Sequence, residues 1–507
     1  MLITLPVKII INLVSGFLLS LSSPGYDLWF LAWFCLVPFF ILINISKKLK
    51  ETLLLSFIFG FTYNINSLKW LFTLHPLNWL GLSTKESFFV SLAALFLPVF
   101  YNSLFFILFS LCMTFFREFS PYKKGIPYLL SISVLWLIIF NKISSLSFLQ
   151  GFPWTLIEYS QYKNLYLIQI AECFGGLSIS FLIVFFNLVL AEMFVAFFSV
   201  EKVGERYLSR KPFALEELLR PFFLLLILIS SSVFYGMYSF NKNKTDIAPG
   251  VKKALILQGN LPIKATRGRH LDLNLAKQTY KDLINNGSAD LIILPEGAIP
   301  TVFDSNTHSE NWIKNNFNVG ADVISGTYCT NEKNRFKNCA LVYSGKNVSF
   351  YEKERLVPFG EYIPFYFFLP EYLKKFADFA VGEGFIKGNK NLPLNISTGR
   401  VGINICFELI FPDIVRNHVL NGANFLVNLS DLSWFNSNLL KKQFLAFAVF
   451  RAIENRKPLL IATNSGISAF VAPNGNIIKT SMLNRKMVFP VSFSPNNKIT
   501  FYTKYGW

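Results

Sequence analysis

Hydrophobic positions are spread unevenly along the chain, and the unevenness divides it near Asn241. Before that point the apolar runs are long and continuous, without the alternation of a half-buried strand. Seven of them are candidate membrane spans: Met1 to Ser22, Leu28 to Ile45, Thr52 to Leu74, Phe88 to Phe116, Ile126 to Phe140, Leu165 to Phe198 and Pro221 to Phe240. A helix needs about 20 apolar residues to cross a bilayer, so the run from Phe88 is long enough to tilt or to kink at Pro98, while the fifth is short. The first run carries Lys8 and no small-x-small cleavage pattern, and a second span follows at once; it reads as a retained helix, not a leader.

From Asn241 to Pro249 the chain turns polar, as a linker does, and beyond it short apolar runs alternate with amphipathic ones. Strands are predicted at Ala254 to Leu257, Leu291 to Leu294, Val323 to Tyr328, Ala340 to Tyr343, Val401 to Cys406, Phe425 to Asn428 and Leu459 to Thr463. Helices are predicted around Leu271 to Ile284, Ser309 to Phe317 and Leu439 to Asn455, with another beginning near Pro412 and Asp413. Such alternation argues an α/β domain. The expected organisation is a helical membrane domain over residues 1–240 and a globular domain over residues 241–507.

Composition agrees with that division. At 507 residues, 52% hydrophobic and 17% aromatic, the chain is too apolar for one soluble domain of its size. The net charge of +18 is partly topological. Lys47, Lys48 and Lys50, then Arg117, Lys123 and Lys124, then Lys202, Arg206, Arg210, Lys211 and Arg220 fall in alternate loops, which belong on the cytoplasmic side. The other loops carry only Lys85, and Lys142 with Lys163. An odd number of spans from a cytoplasmic N-terminus places the globular half on the outer, periplasmic face. No nucleic-acid module is visible, and the remaining positive charge suits anionic lipid headgroups.

Six cysteines occur without a C-x-x-C pair, and the four histidines, His75, His270, His308 and His418, lack ligand spacing, so neither a disulfide framework nor a metal site is predicted. Cys329 and Cys339 flank a polar hairpin-like segment, and the sequence leaves open whether they pair or stay as two separate strand cysteines.

Candidate chemistry collects at the predicted strand ends. Arg400 to Asp413 reads R-V-G-I-N-I-C-F-E-L-I-F-P-D and leaves Cys406 at a strand-to-helix corner, where helix N–H groups favour a thiolate. Leu291 to Pro300, L-I-I-L-P-E-G-A-I-P, leaves Glu296 at another strand end, and Tyr351 to Pro364, Y-E-K-E-R-L-V-P-F-G-E-Y-I-P, offers Lys353 and Glu361. Taken singly, these are a small buried hydrophobe, a helix-start charge and a solvated lysine. Strand ends in a covered α/β domain converge on one crevice, so together they can form a thiol, carboxylate and ammonium constellation.

These stretches, with S-P-G-Y-D-L-W at Ser23 to Trp29, G-F-P-W at Gly151 to Trp154 and R-A-I-E-N-R-K-P at Arg451 to Pro458, resemble the nitrilase superfamily, in particular its membrane-embedded branch, the apolipoprotein N-acyltransferase family of bacterial inner membranes. The resemblance implies a four-layer α-β-β-α sandwich for the second half. It implies that Glu296 is the general base, Lys353 the lysine and Cys406 the nucleophile, with Glu361 and Glu408 in support. It further implies a phospholipid acyl donor, a diacylglyceryl-apolipoprotein acceptor and no cofactor. The chain departs from the family pattern at Phe407, where a tyrosine is usual, and at Asp431-Leu432, where the family has Asn-Asp. The tryptophan expected soon after Q-G-N is missing between Gln258 and His270, and the final span usual in the family does not appear before Trp507.

Phe367 and Phe368, in the proline-bounded aromatic run Ile363 to Leu373, and the pair Trp434 and Phe435 are expected lipid or substrate contacts together with Phe407; the alternative is that these rings pack on the domain's own core. Two rival functions remain: a membrane-tethered amidase using the same residues with water as acceptor, and a transporter or scaffold, for which only Glu172 and Glu192 are ionisable candidates in or near a span.

Overall fold

The computed structural model describes residues 4–46, 48–120, 125–146, 151–198, 200–203, 206–209, 215–244, 250–262, 272–284, 289–303, 320–331, 333–345, 347–368, 370–371, 374, 384–389 and 392–506. The chain folds into two compact units, one of Met1–Thr73 with Phe89–Ser239, the other of Leu74–Phe88 with Phe240–Trp507. A short segment from within the apolar half therefore belongs to the second unit.

The first unit is helical. Thr84–Phe119, Gly125–Ser145, Leu177–Phe197 and Leu219–Lys242 are long and apolar enough to cross a membrane by length and composition, whereas Leu5–Ser20 and Trp29–Ile45 are apolar but shorter. The expected seven spans are thus met by four among the described residues. The Leu49–Ser67 helix, under the third expected span, carries Lys50, Glu51, Asn64 and Asn66. The sixth expected span is not one helix: residues 167–174 form short turns, Gly175 takes a left-handed φ of 68°, and the long helix begins at Leu177. Pro98 lies within a continuous Thr84–Phe119 helix. An aromatic cluster of Phe39, Phe59, Phe106, Phe109, Trp136 and Phe140 fills the interior. Large apolar side chains such as Phe100, Phe197 and Phe234 stay exposed, as expected of a lipid-facing surface.

The second unit is built on two sheets. One runs β15 (Met487–Phe493), β3 (Lys252–Gln258), β4 (Leu291–Leu294), β6 (Asp322–Thr330), β7 (Phe336–Ser344), β8 (Asn347–Glu352), with β5 (Val302–Phe303) added to β6. The other runs β14 (Ile477–Thr480), β13 (Ala469–Val471), β12 (Leu459–Thr463), β11 (Phe425–Ser430), β10 (Gly399–Ile405), β9 (Leu394–Ile396). β3, β4 and β6 are mutually parallel, as are β10, β11 and β12. A hairpin of β1 (Val200–Val203) and β2 (Arg206–Ser209) lies in the first unit.

Alternation decides the layers. Ile256, Ile293 and Val342 of one sheet and Val401, Ile403, Ile405, Val427 and Leu460 of the other share one buried core, so these faces meet. The odd-numbered partners Leu255, Leu257 and Leu341 face a second core against Ala276, Tyr280 and Leu283 of the Leu273–Ile284 helix. On the far side of the second sheet, a Cβ at Gly402 would lie 2.8 Å from the Cβ of His418 in the Pro412–Leu420 helix, so only glycine admits that close approach. The unit is thus an α/β domain with two sheets between helices, the layering that the resemblance implies.

The strand predictions hold to within one to four residues. The tail strand β15 was not anticipated; M-V-F-P-V-S-F contains Pro490, which an edge strand tolerates. The helix expected at Ser309 to Phe317 lies outside the described residues.

Candidate active site

β4 ends at Leu294 and the chain turns through Pro295, Glu296 and Gly297. Gly326 on the neighbouring β6 makes room for the turn, since a Cβ there would stand 2.4 Å from the Glu296 Cα. The turn is pinned by Gly326 N–H donating to the Pro295 carbonyl at 3.1 Å. Lys353 follows β8 directly, its N–H donating to the Asn338 carbonyl at 2.9 Å, and Glu361 closes the loop that follows, its N–H donating to the Val357 carbonyl.

The structure brings three of the expected residues into contact. Lys353 Nζ donates to Glu361 Oε1 at 2.9 Å and lies 3.4 Å from Glu296 Oε1. All three side chains are 1% exposed. Burying charges is costly unless they are paired and their remaining lone pairs filled. Here they are: Val357 N–H donates to Glu361 Oε2 at 2.8 Å, and Asp431 N–H to Glu296 Oε2 at 3.0 Å. Asn338 Nδ2 donates to Glu296 Oε1 at 2.7 Å and to Glu361 Oε1 at 2.8 Å.

Cys406 sits one residue beyond β10, as the first residue of a 3-10 turn over Cys406–Ile410 and not as the end of the strand. Its φ of +51° is left-handed, a conformation a non-glycine residue keeps only where its surroundings hold it, commonly at functional sites. Its carbonyl accepts from Asn428 Nδ2 at 3.4 Å, and its side chain is half-buried against the core between the sheets.

Glu408 is what holds this turn. Its carboxylate accepts from Ile405 N–H at 2.7 Å and the Tyr351 hydroxyl at 2.9 Å on one oxygen, and from Glu354 and Arg355 N–H at 2.6 and 3.1 Å on the other. It therefore ties the cysteine turn to the two residues after Lys353. Burial pushes its carboxyl up to about 7, against the pull of those backbone donors and of Lys353.

Phe407 is buried with its ring edge-on to Phe411 at 5.1 Å, part of the wall and not an open surface. Trp434 meets Trp79 edge to face at 5.0 Å, which ties the Leu74–Phe88 segment to this end of its own unit. Phe435 is half-buried. Phe367 and Phe368 are 90% and 86% exposed, so core packing is not their role.

Sequence reasoning missed Asn338 and the Asp431 N–H. A signal for the first existed: asparagine is depleted in strand interiors, and here one sits inside F-K-N-C-A-L-V. The open question at Cys329 and Cys339 resolves as a disulfide. The register places Cys329 opposite Lys337 and Cys339 opposite Thr327, a diagonal pair with Cα atoms 6.0 Å apart.

Comparison with known proteins agrees with this architecture. Residues 15–189 match the apolipoprotein N-acyltransferase N-terminal domain and residues 243–489 the carbon-nitrogen hydrolase domain. The apolipoprotein N-acyltransferase of Geobacter metallireducens is 29% identical, the match covering 97% of this chain and 90% of that one. That of a Nostoc species is 26% identical, over 96% and 94%. Among solved structures, a carbon-nitrogen hydrolase from Helicobacter pylori aligns with 48% of this chain and 89% of its own, at 18% identity and a TM-score of 0.36.

Proposed function

We propose, starting from the chain's membership of the apolipoprotein N-acyltransferase family, that it moves a fatty acyl chain from a phospholipid to the α-amine of a diacylglyceryl-cysteine at a lipoprotein N-terminus, working at the outer face of a bacterial inner membrane. The observation that carries this reading is the buried Glu296, Lys353 and Glu361 cluster at the strand ends, tied through Glu408 to the left-handed Cys406.

In the first half-reaction Glu296 takes the proton of Cys406, and the thiolate attacks the ester carbonyl of the donor. Lys353 stabilises the oxyanion. The intermediate collapses with cleavage of the ester C–O bond, and the lysophospholipid leaves as an alcohol with the proton held by Glu296. In the second half-reaction the acceptor amine attacks the thioester and Glu296 accepts its proton. The amide forms, the C–S bond breaks, and the thiol is regenerated. Glu361 orients Lys353; Glu408 holds the nucleophile turn. The exposed Phe359, Phe365, Phe367 and Phe368 lie in the same loop as Glu361 and suit contact with the acyl region of a bilayer.

Mass spectrometry of the intact protein in detergent with phospholipid tests this. The expected result is a gain of one acyl group on Cys406 that is discharged as amide product on adding a diacylglyceryl peptide with a free amine. Cys406→Ala should acquire none. An adduct that persists in Cys406→Ala overturns the nucleophile, and discharge only to free fatty acid points to an amidase-like hydrolase.

A further inference from the structure

Each carboxylate of the buried cluster has one oxygen served by the backbone, Asp431 N–H on Glu296 and Val357 N–H on Glu361. The other oxygens, Oε1 of both, meet the same two side-chain donors, Lys353 Nζ and Asn338 Nδ2. Two carboxylates thus share one ammonium in a site 1% exposed. An asparagine amide has two hydrogens, and here both are spent, one on each carboxylate. Its own Oδ1 is buried without a protein partner among the described residues, so the side chain is oriented by the carboxylates it serves. The residue is fixed from behind as well: its carbonyl accepts the Lys353 N–H, and its neighbour Cys339 is disulfide-bonded to Cys329.

We propose that Asn338 is a positioning residue that keeps Glu296 in its ionised, proton-accepting state by bridging it to Glu361 without adding charge; this rests on the assignment of Glu296 as general base. Among the described residues, other titratable groups near the cluster have partners of their own. Glu408 is engaged by Tyr351 and three backbone donors. The Asp431 carboxylate accepts from Ser433 N–H and Asn464 Nδ2, with Tyr280 behind it. Lys337 and Glu352, beside the site on β7 and β8, pair with each other at 2.7 Å. Cys406 is the acid that Glu296 deprotonates.

The test is the pH dependence of Cys406 alkylation by iodoacetamide in the full chain in detergent, measured beside acyl loading from phospholipid. For Asn338→Asp, which is isosteric but adds a third carboxylate, the acid limb of both profiles should move up by about one pH unit or more, so that rates on the limb fall about tenfold while the high-pH plateau returns to near wild type. Asn338→Ser keeps one short donor and should fall between, and it carries the test if the aspartate variant does not fold. Glu296→Gln should lack the limb altogether. A residue that only braced β7 would lower the plateau at every pH and leave the limb in place; that result in both variants overturns the proposal. Wild-type protein that shows the alkylation limb but never acquires an acyl group would defeat the acyltransferase reading, while the variant limbs would still decide the role of Asn338.

Discussion

The backbone N–H of Asp431, at the end of β11 in one sheet, donates to Glu296 Oε2, at the end of β4 in the other, at 3.0 Å. One hydrogen bond thus shows that the carboxyl ends of both sheets open onto the same place. It also means the loop carrying Asp431 and Leu432 meets Glu296, the proposed general base, through its main chain. The side chain has a separate task, accepting from Asn464 at 3.2 Å and so joining the end of β11 to the end of β12.

His418 predicts a pH effect on stability. It is buried beneath Gly402 and beside the Tyr351 ring, and burial holds its imidazole down at about 4. The folded state therefore prefers the neutral ring, while the unfolded chain protonates first. Its contribution is fully present above the unfolded value of 6.5 and is lost as pH falls toward 4. Glu408 works in the opposite sense over a similar range, since its raised carboxyl makes stability fall as pH rises toward 7. Comparing wild type with His418→Gln cancels that common term. The stability of the variant relative to wild type, followed by melting point, should rise as pH falls from 6.5 toward 4, the free-energy difference growing by at most about 3 kcal/mol. A constant difference across that range would refute the buried neutral histidine.

The aromatic loop predicts a separation of stability from activity. With Phe367 and Phe368 at 90% and 86% exposure, changing both to Ser leaves no cavity, and the melting point should move little. Acyl loading from bilayer phospholipid should slow severalfold, while cleavage of a short water-soluble ester is retained. Equal losses on both substrates would remove the bilayer contact from the mechanism.

The Cys329–Cys339 bridge closes a short loop at a sequence separation of 10, within the hairpin that carries Asn338. Replacing both cysteines with alanine should cost about 2 to 3 kcal/mol by the chain-entropy account, read as a lower melting temperature that added reductant no longer changes. A reductant effect that survives in the double variant would locate the sensitivity at another cysteine.

Much of the molecule follows from local pattern alone. The composition shift at Asn241, the α/β alternation after it and the location of Glu296, Lys353 and Cys406 just beyond apolar runs depend on residues close together in sequence. Burial periodicity and the Pro/Gly punctuation that ends a strand are local physics, so they were legible. What the tertiary structure alone decided depends on register between distant strands. Asn338 reaches Glu296 across 42 residues and the Asp431 N–H reaches it across 135. The pairing of Cys329 with Cys339 needed the β6–β7 register, and the clamp by Glu408 needed the loop after Lys353 to lie over the cysteine turn. The membrane half shows the same limit: a single span is predicted from Leu165 to Phe198, yet the long helix starts only after Gly175, because apolar composition reports what lipid or core will accept and not where the backbone turns.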